Sequence, residues 1–137
     1  MSTFLLEIVT PERKVYAQDV DMIVVRGIEG ELGILPNHIP LVTALQIAPL
    51  VVKRNRQDEI IALHGGFLEV RKDKVVILAE SAELPGDIDL ERARAAKERA
   101  EQRLGGRASN ISPVDYPRAE LALNRALNRL DVKQRGK

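Results

Sequence analysis

Arginines at helical spacing are the residues of this chain most able to do chemistry. Arg92, Arg99 and Arg103 recur at intervals of seven and four, and Arg118, Arg125 and Arg129 repeat those intervals. On α-helices each trio shares one face. If the two helices run antiparallel the rows converge, and facing guanidinium groups repel one another unless an anion bridges them. A polyphosphate would do this through charge-assisted hydrogen bonds. Asp89 stands one turn before Arg92. Its carboxylate is ill suited to phosphate, but it can accept from a ribose hydroxyl or an adenine amino group. Spacing alone leaves a second reading open. Glu91, Glu98, Glu101 and Glu120 could pair these arginines locally and turn both faces into solvated, salt-bridged surface.

The other candidates are weaker. His38 and His64 are the only histidines, and neither has a second histidine at ligand spacing, so no metal site is expected. Asn37-His38-Ile39-Pro40 reads as a constrained loop, and His64-Gly65-Gly66 as a turn. Gly27, Gly30 and Gly33 lie between strand-like runs rather than at a strand-to-helix turn, which favours structural glycines over a phosphate loop. There is no cysteine and no G-x-S-x-G or Walker A sequence. No nucleophile, base and oxyanion hole assemble, so no catalytic residue is expected.

Two kinds of element must position the arginines. Residues 1–85 hold 23 Val, Ile and Thr residues, against four in the remainder, and read as strands. Runs occur at Phe4–Thr10, Lys14–Ala17 and Val20–Arg26, with a turn at Gly27–Gly30. Ala48–Lys53 and Glu59–Leu63 suggest a hairpin across 54–58, and Phe67–Arg71 and Lys74–Ala79 another across Lys72-Asp73. Short strands at this spacing predict a small sandwich or flattened barrel. Residues 86–137 read as two helices. Asp87 and Asp89 are N-cap candidates, and Leu90, Ala93, Ala96, Ala100 and Leu104 form a stripe that ends at Gly105-Gly106. A loop is expected over Arg107–Ile111. The second helix starts at Ser112-Pro113 or at Pro117, with a stripe of Ala119, Ala122, Leu123, Ala126 and Leu130. The predicted fold is α+β: an all-β domain over 1–85, then an antiparallel helical hairpin over 86–137. Its alanine stripes allow close approach but bury little apolar area, so the hairpin should be marginal and able to open. Completion of the β core is the competing role for these stripes.

Composition narrows the partners. Charged residues at 30% and apolar residues at 45% are ordinary for a globular chain. The net charge of +1 hides an uneven distribution: residues 86–137 carry 12 basic and 8 acidic side chains, nine of the basic ones arginine. The start lacks the pattern of a signal peptide, and the longest apolar stretch is too short for the roughly 20 residues of a span. Any membrane association is therefore expected through a partner. With only two Phe and two Tyr there is no stacking platform, which argues against nucleic acid.

Three separated motifs resemble the epsilon-subunit family of bacterial F-type ATP synthase. They are Gly30-Glu31-Leu32-Gly33-Ile34-Leu35-Pro36-Asn37-His38-Ile39-Pro40-Leu41, then Gly65-Gly66-Phe67-Leu68-Glu69-Val70 with Val75-Val76-Ile77-Leu78-Ala79, and Arg118-Ala119-Glu120-Leu121-Ala122. The likeness runs in order over essentially the whole chain. Asn37 stands where the family commonly has glycine; asparagine tolerates αL, so the turn should survive. The resemblance implies a non-catalytic subunit of the rotor's central stalk at the cytoplasmic face of the cell membrane. It would bind the gamma subunit and rest on the ring of c subunits, with Glu31 at the c-ring contact and His38 at the gamma contact. Its hairpin would permit turnover when folded down, and would inhibit ATP hydrolysis when extended against the alpha and beta subunits.

Some bacilli-type members bind ATP on the folded hairpin through an Ile/Leu-Asp-x-x-Arg-Ala segment. Ile88-Asp89-Leu90-Glu91-Arg92-Ala93 is similar to it throughout. By that resemblance Glu83, Ile88 and Asp89, with Ala93 in the motif, hold the adenosine end, and Arg92, Arg99, Arg125 and Arg129 hold the phosphates. ATP would then be a regulatory ligand, with the presence of magnesium left open. A free-standing adenine-nucleotide sensor would use the same hairpin without needing the Glu31–Leu41 loop.

Overall fold

The computed structural model describes residues 2–106 and 115–136. Eight strands are followed by two helices: β1 (Phe4–Val9), β2 (Lys14–Val20), β3 (Met22–Gly27), β4 (Gly30–Ile34), β5 (Leu41–Arg54), β6 (Gln57–Val70), β7 (Lys74–Ala79), β8 (Ala82–Glu83), α1 (Leu90–Glu101) and α2 (Asp115–Gly136). The strands form one mixed sheet in the order β2-β1-β7-β6-β5-β3-β4, with β8 added to β6. All pairs are antiparallel except β1 with β7. The sheet folds over on itself as a β-sandwich. Leu6 and Ile8 from one end of the path share a single buried cluster with Ile23 and Ile34 from the other. Alternation in β1, buried then half-buried at each step, is the period-2 signature of a strand with one face inward.

Several elements differ from the sequence expectation. The break between the second and third strands falls at Asp21, whose N–H donates to the Lys53 carbonyl and whose side chain accepts from the Asn55 N–H. β5 and β6 each run 14 residues and meet in a two-residue turn, Asn55-Arg56. Pro49 lies inside β5 and pairs with Ala62 on the β6 side, while the pairing of β3 with β5 is irregular between Val24 and Gly27. A proline is tolerated where the ladder is already interrupted. Gly65-Gly66 lies inside β6 rather than in a turn. Gly66 has φ +128°, and a Cβ there would run into the Leu78 carbonyl and approach the Ala79 Cα to 2.8 Å, so only glycine fits against β7. Asn37 does adopt αL, with φ 67°.

Arg56 also sits at positive φ, 64°, beside Asn55 at 54°. Two such residues define a hairpin turn that prefers Asn-Gly. Arg56→Gly is expected to stabilise the β domain by about 1 kcal/mol, readable as a raised midpoint in urea unfolding with an unchanged slope.

α2 packs on both α1 and strands β5 and β6, whereas α1 packs chiefly on α2. Ala119 and Ala126 are fully buried on α2, as are Ala93 and Ala100 on α1. A second face of α2 reaches the sheet, where Val132 joins Ile60, Ala62 and Ile88 in a small separate cluster. The first helix begins at Asp89, whose Oδ1 accepts from the Arg92 N–H at 3.1 Å, while Asp87 lies in a preceding 3-10 turn over Pro85–Asp87. A π-helical turn, Gln102–Gly106, closes it. The second helix includes Pro117 in its first turn. The Arg107–Ile111 loop and the Ser112-Pro113 start lie outside the described residues.

Candidate functional site

A two-residue strand sets the first functional side chain. β8 pairs Glu83 with Ala62 and Ala82 with Leu63, which aims the Glu83 carboxylate at the underside of α2. Its Oε1 accepts from His64 Nε2 at 3.0 Å and from Arg129 Nε. These two donors, the imidazole first and then the guanidinium, hold the Glu83 carboxyl below the usual carboxylate range against the opposing effect of burial. Two further bonds tie α2 down beside this contact. Asn128 Nδ2 donates to the Leu63 carbonyl at 2.9 Å, and Lys133 Nζ to the Pro85 carbonyl at 3.0 Å.

The sign of the pH dependence follows. A carboxylate whose folded pKa is depressed contributes stability above its unfolded value, roughly 4.3, and that contribution is lost as pH falls through the folded value. Acidification below about pH 4 is therefore expected to loosen α2 from the sheet, read as faster amide exchange in α2. Glu83→Gln should flatten that dependence.

Between Glu83 and α1 lies a cleft of about 380 Å³, lined by Glu83, Asp87, Asp89, Arg92, Ala93, Ala95, Ala96, Arg99 and Arg129. Six residues picked out in the sequence thus share one concave surface: Glu83, Asp89, Arg92, Ala93, Arg99 and Arg129. Two others do not. Ile88 is buried at 4% exposure and packs with Ile60, Ala62 and Val132, so its side chain does not line the cleft. Arg125 lines a neighbouring cleft with His64, Glu80, Leu121 and Asn124. Glu31, exposed on edge strand β4, and His38, in the loop beyond it, line neither cleft. His38 Nδ1 lies 2.7 Å from the Ile39 carbonyl.

The charge balance of the cleft bears on the two sequence readings of the arginines. Among the described residues the ion pairs of the hairpin are Arg94 with Glu91, Arg129 with Glu83 and Arg135 with Asp131. Arg92, Arg99 and Arg125 pair with no described carboxylate, so the local pairing with Glu98, Glu101 and Glu120 is not formed. Asp89 spends one oxygen on the helix cap and keeps the other as an acceptor. A cavity of about 570 Å³ at Glu59, Pro85 and Gly136 is larger, but its one arginine, Arg135, is already paired with Asp131. Among the described residues the smaller cleft therefore offers guanidinium donors without an ion-pair partner, Arg92 and Arg99, and carboxylate acceptors, a set able to meet both acceptor and donor groups of a ligand.

The sequence reading missed the contribution of His64 and Asn128. His64 is 2% exposed and Asn128 5% exposed, and both make their bonds at the junction of sheet and hairpin. Asn128 lies off the alanine stripe, and its burial becomes legible only once α2 is known to pack on two sides.

Comparison with known proteins adds a family. Residues 3–85 match the family described as ATP synthase, Delta/Epsilon chain, beta-sandwich domain. Residues 87–134 match that of the Delta/Epsilon chain, long alpha-helix domain. The ATP synthase epsilon chain of Halalkalibacterium halodurans is 55% identical over 135 residues, covering 98% of this chain and 100% of that one. Its counterpart in Alkalihalophilus pseudofirmus is 59% identical over 132 residues, covering 96% and 98%. Among solved structures, a chain of the Euglena gracilis mitochondrial ATP synthase superposes with a TM-score of 0.80 at 23% identity, covering 98% of this chain and 82% of that one. A chain of the Tetrahymena thermophila central stalk and c-ring gives 0.57 at 17%, covering 98% and 96%. At those identities the likeness is one of fold.

Proposed function

The chain belongs to the delta/epsilon chain family of ATP synthase, and from that membership we propose that it is a non-catalytic central-stalk subunit whose hairpin senses ATP. The cleft between Glu83 and α1 is the sensor. Arg92 and Arg99, which pair with no described carboxylate, are the observation that carries this reading. Glu83 and Asp89 take the adenosine end beside Ala93, with the buried Ile88 preceding Asp89 in the chain. Arg92, Arg99 and Arg129 take the phosphates. Arg125, one turn before Arg129 and without a described ion pair, joins them by swinging its long side chain across α2.

The β domain would supply the attachment. Beside Glu31, the loop held by Pro36 and Pro40 exposes Leu35 and Ile39, and the start of β5 exposes Val42. This supports a docking surface for the gamma subunit and the c-ring, since fixed φ at the prolines lowers the ordering cost of contact. Among the described residues no helix is long and apolar enough to cross a membrane. Attachment at the cytoplasmic face of the membrane then runs through those partners.

Weak packing lets the hairpin act as a switch. Each buried alanine contributes one methyl, about 0.8 kcal/mol, where a core leucine or isoleucine contributes about 1.5–3 kcal/mol. ATP held only by the folded hairpin stabilises it by about 2.7 kcal/mol at a hundredfold excess over Kd. When ATP is scarce the helices release, extend toward the alpha and beta subunits and inhibit hydrolysis. Titration of the full chain with ATP should give saturable NMR shifts confined to the cleft; none at millimolar ATP would overturn the sensor. Truncation after residue 86 should raise ATP hydrolysis by the assembled complex. Unchanged hydrolysis would overturn the inhibitory role.

A further inference from the structure

We propose that His64 is a positioning residue of this cleft that takes up a proton when ATP binds, replacing the positive charge that phosphate draws away from Glu83. The inference rests on the reading of the cleft as a nucleotide site and adds a residue and a coupling to it. Its basis is the shared oxygen. Glu83 Oε1 accepts from both Arg129 and His64. Arg129 stands on the movable wall, with 28% of its side chain exposed, whereas the His64 side chain is 1% exposed in strand β6. The His64 peptide N–H is fixed by the Ser81 carbonyl at 3.0 Å. The arginine can turn toward a ligand, and the imidazole cannot leave.

The charges around His64 set the direction of the coupling. Glu83 faces it from β8 and Glu80 from the segment after β7. Arg129 reaches it from α2 through Glu83, and Arg125 from α2 across the neighbouring cleft. Its partner on β5, Ile47, and the nearby Asn128 are uncharged. Around His64, then, two guanidinium groups, Arg129 and Arg125, stand against two carboxylates, Glu83 and Glu80. A polyphosphate neutralises the guanidinium groups and brings negative charge of its own, which leaves the imidazole in an uncompensated negative field. Imidazole is the side chain whose ordinary range lies nearest neutral pH, so it responds to such a change. With Nε2–H donating to Glu83, the proton lands on Nδ1, which is buried without a hydrogen-bond partner. Asn128 Oδ1, a buried acceptor also without a partner, stands on the helix over the same strand. Linkage is reciprocal, so a proton that follows ATP in also makes ATP bind more tightly as pH falls.

The test is imidazole ¹⁵N NMR of the full-length chain at pH 7, titrated with ATP. The His64 nitrogens should move toward imidazolium values as the cleft saturates, while those of His38 stay still. Calorimetry in buffers of different ionisation heat should give a proton uptake larger in the wild type than in His64→Gln. The wild type's gain in ATP affinity from pH 8 to pH 6 should exceed that of the variant by about three- to tenfold. ATP's own protonation is common to both proteins and cancels. ATP that saturates the cleft while His64 stays silent, or with equal proton uptake in the two proteins, overturns this inference alone. Absence of saturable ATP binding overturns the sensor reading and this inference with it.

Discussion

Arg99→Ala is expected to lower ATP affinity by about 10- to 100-fold and to leave the unfolding midpoint of the chain unchanged. The size follows from the loss of a charge-assisted hydrogen bond, about 1.5–3 kcal/mol. The neutrality follows from the structure, because Arg99 is exposed on α1 and pairs with no described carboxylate. Arg129→Ala is expected to lose affinity as well, but it also strips Glu83 of a partner and so lowers the stability of the docked helix. Comparing the two separates ligand binding from docking. Isothermal titration with ATP and urea unfolding on the same samples provide both readouts. Equal ATP affinity in Arg99→Ala and wild type would remove Arg99 from the site, and equal affinity in all four arginine variants would remove the site.

How far this site could be read from the sequence depends on what kind of signal each residue gives. Arg92, Arg99 and Asp89 at the start of α1 were legible because helical periodicity and capping place side chains without reference to the rest of the fold. Asn37 in αL was legible because turn chemistry is local. Strand β8 was not, since two residues have no periodicity, and Glu83 reaches the cleft only because Ala62 and Leu63 of β6 pair with that short strand. His64 reads as the approach to a turn because two glycines follow it. In fact Gly66 serves the close approach of β7, and the strand continues through both. The separation of Arg125 from Arg129 has the same origin. They share a face by spacing, yet α2 lies in the angle between α1 and the sheet, so one faces each side. Local rules place side chains on elements, and long-range pairing decides which element each one meets.

The docking of α2 gives the second large effect. Asn128→Asp is expected to release the hairpin while the β domain stays folded. Asn128 is buried and donates to the Leu63 carbonyl. An aspartate there turns a donor into an acceptor facing an acceptor and buries a charge with no described cation bonded to it. Breaking such a site costs about 3–5 kcal/mol, more than the 2.7 kcal/mol or so that a hundredfold excess of ATP returns. Saturating ATP therefore should not rescue docking. The cost stays local because the large buried cluster is drawn entirely from residues of the strands, with Leu84 at its margin, and the hairpin contributes only to the small separate one. Hydrogen exchange should show α2 amides losing protection while β5 and β6 keep theirs away from the contact. Asn128→Leu, with the same branching and free of charge, loses the bond but also removes the Oδ1 that has no described partner, so its docking should fall between wild type and Asn128→Asp. In the assembled complex the released hairpin should make hydrolysis inhibition insensitive to ATP concentration, and inhibition that still relaxes with rising ATP would mean that this contact does not hold the switch.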